Sequence, residues 1–168
     1  MKNVFFILMI IGFAAFSCRG NEEDVQNIDQ VVNLYIKDAT GKDLLNSKLT
    51  GSFFSVALVD LNAERDNVPI SSFSLLKDAD TVNYIDYAAG AVRILTDSVS
   101  ATNKTYESDF YINLTKKIDS VNSTLDTDTV KIEYSWSPTL FQISKLYYNG
   151  KLKFTKVAGE PNVVTIIK

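Results

Sequence analysis

From Val31 onward the chain alternates apolar and polar residues with a period of two, and no stretch after Gln30 sustains a helical period over three turns. Successive side chains of a strand point to opposite faces, so each run can bury one face and leave the other in water. Val32, Leu34 and Ile36 alternate with Asn33, Tyr35 and Lys37, and Phe54, Val56 and Leu58 alternate with Ser55 and Ala57. Similar runs at 70–76, 82–87, 91–96, 106–114, 130–136, 143–148, 151–154 and 163–167 bring the expectation to roughly ten strands. The 10 Phe and 8 Tyr suit this assignment, because aromatic side chains fit a pleated, half-buried surface.

The sharpest local signal is KLYYNGKLKF at 145–154. Asn149-Gly150 supplies the two positive φ angles of a type I′ turn, which places Tyr147 opposite Leu152 and Lys145 opposite Phe154. Many short strands joined by polar turns, with only 7 Gly and 3 Pro, point to a single antiparallel β-sandwich-like domain over residues 31–168. A membrane-spanning barrel is disfavoured, because strands of ~9–11 residues with a lipid-facing stripe are not visible.

The chain has 1 Cys, Cys18, and no histidine. The domain therefore carries no disulfide, and His general bases, His-activated nucleophiles and His/Cys zinc sites are closed to it. Asp and Glu outnumber Lys and Arg by 20 to 17, with no basic stripe to neutralise phosphates, so no nucleic-acid partner is expected. No cofactor is implied.

Lys2 is the only charge before Arg19, and residues 4–16 are all apolar or small. Such a run fits the ~7–15 residues of a signal h-region and falls short of the ~20 needed to cross a bilayer as a helix. It also lacks the polar face of a helix packed on a domain. Residues 1–17 are expected to be a secretion signal. The stretch Ala15-Phe16-Ser17-Cys18 resembles a lipobox, the recognition site of lipoprotein signal peptidase. That resemblance implies that Cys18 takes a diacylglyceryl group and becomes the first mature residue, acylated at its amine. Each buried methylene contributes ~0.8 kcal/mol, and two or more chains hold stably, so the mature protein is expected to be lipid-anchored to a membrane without spanning it.

Residues 18–30 then comprise the lipidated cysteine and a polar, acidic, flexible tether spanning roughly 20 Å as a random coil. Within it Glu22-Glu23-Asp24 resembles the acidic export signal that sends many Bacteroidota lipoproteins through the outer membrane to the cell surface. The alternative is an ordinary solvated tether with the domain facing the periplasm.

Two further stretches resemble a group of small Bacteroidota outer-membrane lipoproteins of uncharacterised function. One is LYIKDATGKDLLN at 34–46, similar to that group's opening strand and turn; the other is 126–134 with LYYNGKL at 146–152, similar to its late strand and closing hairpin. The resemblance covers the two ends of the domain, implies an envelope lipoprotein with a sandwich-like domain, and transfers no catalytic residue.

Among candidate chemistries, Asp38, Asp43, Asp126 and Asp128 offer hard oxygen ligands of the type calcium takes, but six to eight in a cage are needed and no EF-hand spacing is present. Turn capping is the plainer role. Asp-Ser/Thr-Val tripeptides place Thr81, Ser98, Ser120 and Thr129 in the acceptor pattern of Bacteroidota O-glycosylation, which needs exposed hydroxyls; the plainer meaning is a loop becoming a strand. Trp136, Tyr147 and Tyr148 are candidates for a ligand platform that stacks on sugar rings, with core filling as the rival.

The expected function is non-enzymatic. A lipid-anchored envelope protein displays a β domain that binds a protein or glycan partner, or serves as accessory subunit of an outer-membrane complex. The alternative is a surface carbohydrate-binding lipoprotein, and a small hydrolase using paired carboxylates comes third.

Overall fold

The computed structural model describes residues 25–168, so the expected signal, Cys18 and Glu22, Glu23 and Asp24 lie outside the described residues. Twelve strands follow one another: β1 (Asn27–Asp29), β2 (Val32–Lys37), β3 (Phe53–Asp60), β4 (Val68–Ile70), β5 (Phe73–Lys77), β6 (Asn83–Tyr87), β7 (Ile94–Ser100), β8 (Asn103–Lys117), β9 (Ser123–Trp136), β10 (Leu140–Tyr148), β11 (Lys151–Thr155) and β12 (Val163–Ile167). Among the described residues no helix forms, and the all-β, two-sheet expectation holds.

The longest alternation folds on itself. β8 and β9 pair antiparallel from Lys104↔Trp136 to Lys117↔Ser123, an unbroken ladder that serves as the spine of the larger sheet. That sheet runs β1-β10-β9-β8-β3-β4, with β11 also on β10 and β7 also on β8. The smaller sheet runs β12-β2-β6-β5. Two pairings, β1 with β10 and β2 with β12, are parallel, which hairpin connections alone do not predict.

The even-numbered rows of the spine face inward. Phe110, Ile112 and Leu114 of β8 and Val130, Ile132 and Tyr134 of β9 meet Val32, Leu34 and Ile36 of β2, with Ile85, Val164 and Ile166 beside them. Each buried aliphatic side chain contributes about 1.5–3 kcal/mol relative to exposure, so this interleaved layer is what holds the sheets together. The buried hydroxyls of Ser108 and Tyr134 satisfy each other at 3.0 Å. Among the described residues, no buried side-chain polar atom is left without a partner.

Four expectations change. Phe54 is exposed and Phe53 takes the core position, because a bulge between Phe53 and Ser55 inserts one residue and flips the row. The run 70–76 is divided: β4 pairs with β3 in one sheet and β5 with β6 in the other. The hairpin turn forms with φ of 48° at Asn149 and 73° at Gly150, and Tyr147 faces Leu152 as expected. Lys145, however, faces Thr155, because a register shift after Leu146 leaves Lys153 as an extra residue. Finally, β1 lies within the stretch read as tether, so Asn27–Asp29 joins the sheet.

The spine gives the domain two ends. Gln26 Nε2 donates to the Ser137 carbonyl at 2.6 Å and the Asn27 amide to the Thr139 carbonyl at 2.9 Å, so the chain comes in beside the β9–β10 turn, the proximal end. The β8–β9 and β10–β11 turns form the distal end. Ten residues of β9 separate Trp136 from Asp126, about 33 Å at the rise of a strand.

Ile132→Ala removes a fully buried side chain from the spine and is expected to cost about 3 kcal/mol, lowering the urea midpoint at unchanged slope. Leu152→Ala, on an exposed position, is expected to stay within about 0.5 kcal/mol of the parent.

Candidate functional site

At the distal end the chain leaves β2 through a tight turn that builds one wall of a cleft. Asp38 Oδ1 accepts from the Thr40 amide at 2.8 Å, the Thr40 hydroxyl at 2.7 Å and the Lys42 amide at 3.0 Å. These bonds hold the Asp38 carboxyl below its ordinary value, the Thr40 hydroxyl contributing most. Asp43 accepts from the Leu45 amide at 2.9 Å and from the Asn83 amide and side chain at 2.9 and 2.6 Å, stapling the turn to β6. Lys42 is thereby fixed between two anchored aspartates.

Opposite stands Lys116, near the end of β8, with Gly51 between. Gly51 has φ +79°, and a Cβ there would sit 3.6 Å from Lys42 Nζ and 3.8 Å from Lys116 Nζ. Those are ordinary contact distances, so it is the positive backbone angle that calls for glycine here. Lys42 Nζ donates to the Thr50 carbonyl. Neither Lys42 nor Lys116 forms an ion pair among the described residues. The cleft they share is about 650 Å³, with Phe53, Leu125 and Lys168 on its other walls and the carboxylates of Asp38 and Asp126 also lining it, so that its three lysines outnumber its two acids.

Lys168 belongs to a different arrangement. Its ammonium pairs with Asp126 at 2.5 Å and with Asp128. Asp128 is buried, and it also accepts from the Tyr148 phenol at 2.5 Å and Asn149 Nδ2 at 2.6 Å. Burial alone would raise the Asp128 carboxyl, but the bonds from Lys168, Tyr148 and Asn149 outweigh it and hold it below the ordinary 3.8. The Tyr148 phenol is pushed up by burial and by the adjacent carboxylate. Asn149 passes the network on, its Oδ1 accepting from the Thr129 amide at 2.8 Å. A second cleft of about 310 Å³ opens beside this network, with Lys151 and Lys153 on its rim.

Chemically, the two arrangements differ. Asp126 and Asp128 share one ammonium, which makes a structural pin that keeps one net negative charge. Lys42 and Lys116 form no ion pair, and since their ammonium heads lie 3.6 and 3.8 Å from one point they are at most about 7.4 Å apart, repelling by roughly 0.6 kcal/mol or more in water, with Asp38 offsetting part of the charge of Lys42. An anion seated between them converts that repulsion into two charge-assisted hydrogen bonds.

The expected site residues are distributed unevenly. Asp126, Asp128, Thr129 and Tyr148 do come together, but as a hydrogen-bonded network, while Asp38 and Asp43 direct their oxygens at amide hydrogens. Among the described residues no three of His, Cys, Asp and Glu gather as a metal would require. Thr81, Ser98, Ser120 and Thr129 are all exposed. Thr81 and Ser120 lie in turns just before strands, whereas Ser98 and Thr129 lie within β7 and β9, contrary to the loop-to-strand expectation.

The three-residue aromatic platform does not form. Tyr147 and Tyr148 point to opposite faces of β10, Tyr148 into the core, and Trp136 sits at the proximal end. Lys42, Lys116 and Lys168, which line the distal cleft, carry no sequence signal beyond the Lys116-Lys117 doublet, because only the topology brings their three segments together.

A group whose folded pKa is depressed contributes stability that is full above its unfolded value and is lost as pH falls through the folded one. Stability is therefore expected to drop below roughly pH 4, and Asp128→Asn to be less stable at neutral pH by about 2 kcal/mol or more with a flatter acid dependence, as measured by urea unfolding against pH. Compared with protein-family models, with curated proteins and with solved structures, the chain finds no match in any of the three, so what the site does has to be read from its own geometry.

Proposed function

We propose that the chain is a lipid-anchored envelope protein of the outer membrane that works by display, holding up a cleft that binds an anionic group on an envelope glycan or protein. The observation that carries this reading is the polarity of the domain: the chain comes in at the proximal end, and the lysine cleft opens at the distal end. A domain tethered through Cys18 would then present Lys42 and Lys116 away from the bilayer. The lipobox-like Ala15–Cys18 stretch and the resemblance to small Bacteroidota lipoproteins support the anchor and the outer-membrane address. Glu22, Glu23 and Asp24 favour the cell surface over the periplasm.

Catalysis is not required of such a domain. Anchoring raises its concentration near membrane partners, so a cleft of modest affinity is occupied usefully. Two lysines act as point charges with three donors each, a chemistry suited to carboxylate, sulfate or phosphate. The exposed hydroxyls of Thr81, Ser98, Ser120 and Thr129 are accessible positions for O-linked sugars, consistent with exposure at the surface.

The test has two arms. Cys18→Ala is expected to leave an uncleaved precursor without acyl mass, and maturation with unchanged membrane fractionation would contradict the anchor. Calorimetric titration of the detergent-solubilised mature protein with a uronate or sulfated oligosaccharide is expected to saturate. Lys42→Gln with Lys116→Gln should weaken that binding on the order of tenfold or more. Equal binding by parent and variant, or preference for a neutral sugar, would contradict the cleft assignment.

A further inference from the structure

The proximal end has its own chemistry. There the inner face of the larger sheet runs out past the smaller one and ends in aromatic rings capped by cations. The Arg93 guanidinium lies 5.1 Å from the Tyr134 ring centre and 4.7 Å from that of Phe141, and Lys104 Nζ lies 4.7 Å from the Trp136 ring. Trp136 and Tyr106 are half-buried, Arg93 is exposed, and Leu95 beside them on β7 is 49% exposed. The acids nearest in register, Asp97, Glu107 and Glu133, fall on the outer face, where Glu107 is paired with Lys131 at 2.6 Å and Glu133 with Lys145 at 3.1 Å.

This rim is also where the chain comes in. Gln26 is bonded to Ser137, the residue after Trp136, and seven Cα steps separate Val25 from Cys18, at most about 25 Å when fully extended. A bilayer holding acyl chains on Cys18 is therefore within reach of Trp136. An indole with an apolar body and a polar N–H favours the headgroup level, and Arg or Lys beside it favours anionic lipid.

We propose that this proximal rim, with Trp136, Tyr106, Lys104 and Arg93, is a membrane-interface face that rests on the headgroups of the bilayer holding acylated Cys18. The proposal rests on the lipid-anchor reading. It adds an orientation, since contact at this rim stands the spine upright and turns the lysine cleft outward. Glu22, Glu23 and Asp24 carry the opposite sign, so the rings and the two cations must outweigh them.

Trp136 is the only tryptophan, which makes it a self-contained reporter. The mature lipidated protein is reconstituted in vesicles of phosphatidylethanolamine and phosphatidylglycerol, with and without a lipid brominated near the headgroup. Co-flotation with quenching and a blue shift of Trp136 emission is the expected result. Arg93→Gln with Lys104→Gln is expected to float equally but to shift the docked-to-undocked ratio on the order of tenfold, with correspondingly less quenching. Co-flotation with Trp136 unquenched overturns the docking and leaves the anchor standing. Failure to float removes the anchor and the docking together.

Discussion

The β8–β9 ladder is the constraint from which the rest of the structure follows. Its fourteen paired rows put Phe110, Ile112, Leu114, Val130, Ile132 and Tyr134 on one face, and burying that face requires a second sheet. β2, β6 and β12 supply it with the same period. The ladder is longer than the smaller sheet, so the inner rows run on beyond their cover. One overrun carries Tyr106 and Trp136, the other Lys116, Thr124 and Asp126. Both candidate surfaces are thus products of one mismatch in length.

Charge is handled differently at the two ends. Distally, Asp128 is buried and its cost is offset by Lys168, Tyr148 and Asn149, a set that locks the β10–β11 turn to β9 and to the end of β12. Beside this satisfied network, Lys42 and Lys116 face the cleft without carboxylate partners among the described residues. Proximally, Arg93 and Lys104 lie over aromatic faces, an attraction worth about 0.5–1 kcal/mol at exposed sites, and one guanidinium nitrogen of Arg93 also donates to Gln30 Oε1 at 2.5 Å.

Period-two alternation made the strands legible, because a sheet buried on one face enforces it residue by residue. The Asn149-Gly150 hairpin was legible for an equally local reason: two residues set the turn and the turn sets the nearest pair. What escaped depends on partners. The bulge that exchanges Phe54 for Phe53 exists only against β8, and the division of 70–76 between sheets reflects which strand each half meets. Alternation assigned Tyr147 and Tyr148 to opposite faces and so argued against grouping them with Trp136, a consequence visible in the sequence. The lysine cleft was not visible there, since Lys42, Lys116 and Lys168 meet only through the crossing of β2, β8 and β12.

Anchor proximal and cleft distal is the claim on which the functional account stands. Cys18 is the only cysteine and on the proposed reading is taken up by lipid, so a Leu125→Cys variant would carry one free thiol at the distal rim, where Leu125 is 60% exposed. Energy transfer from a dye on that thiol to an acceptor in the bilayer measures the height of the cleft directly. A dye standing about 30 Å or more above the headgroups is the expected result. A dye at headgroup level would contradict it.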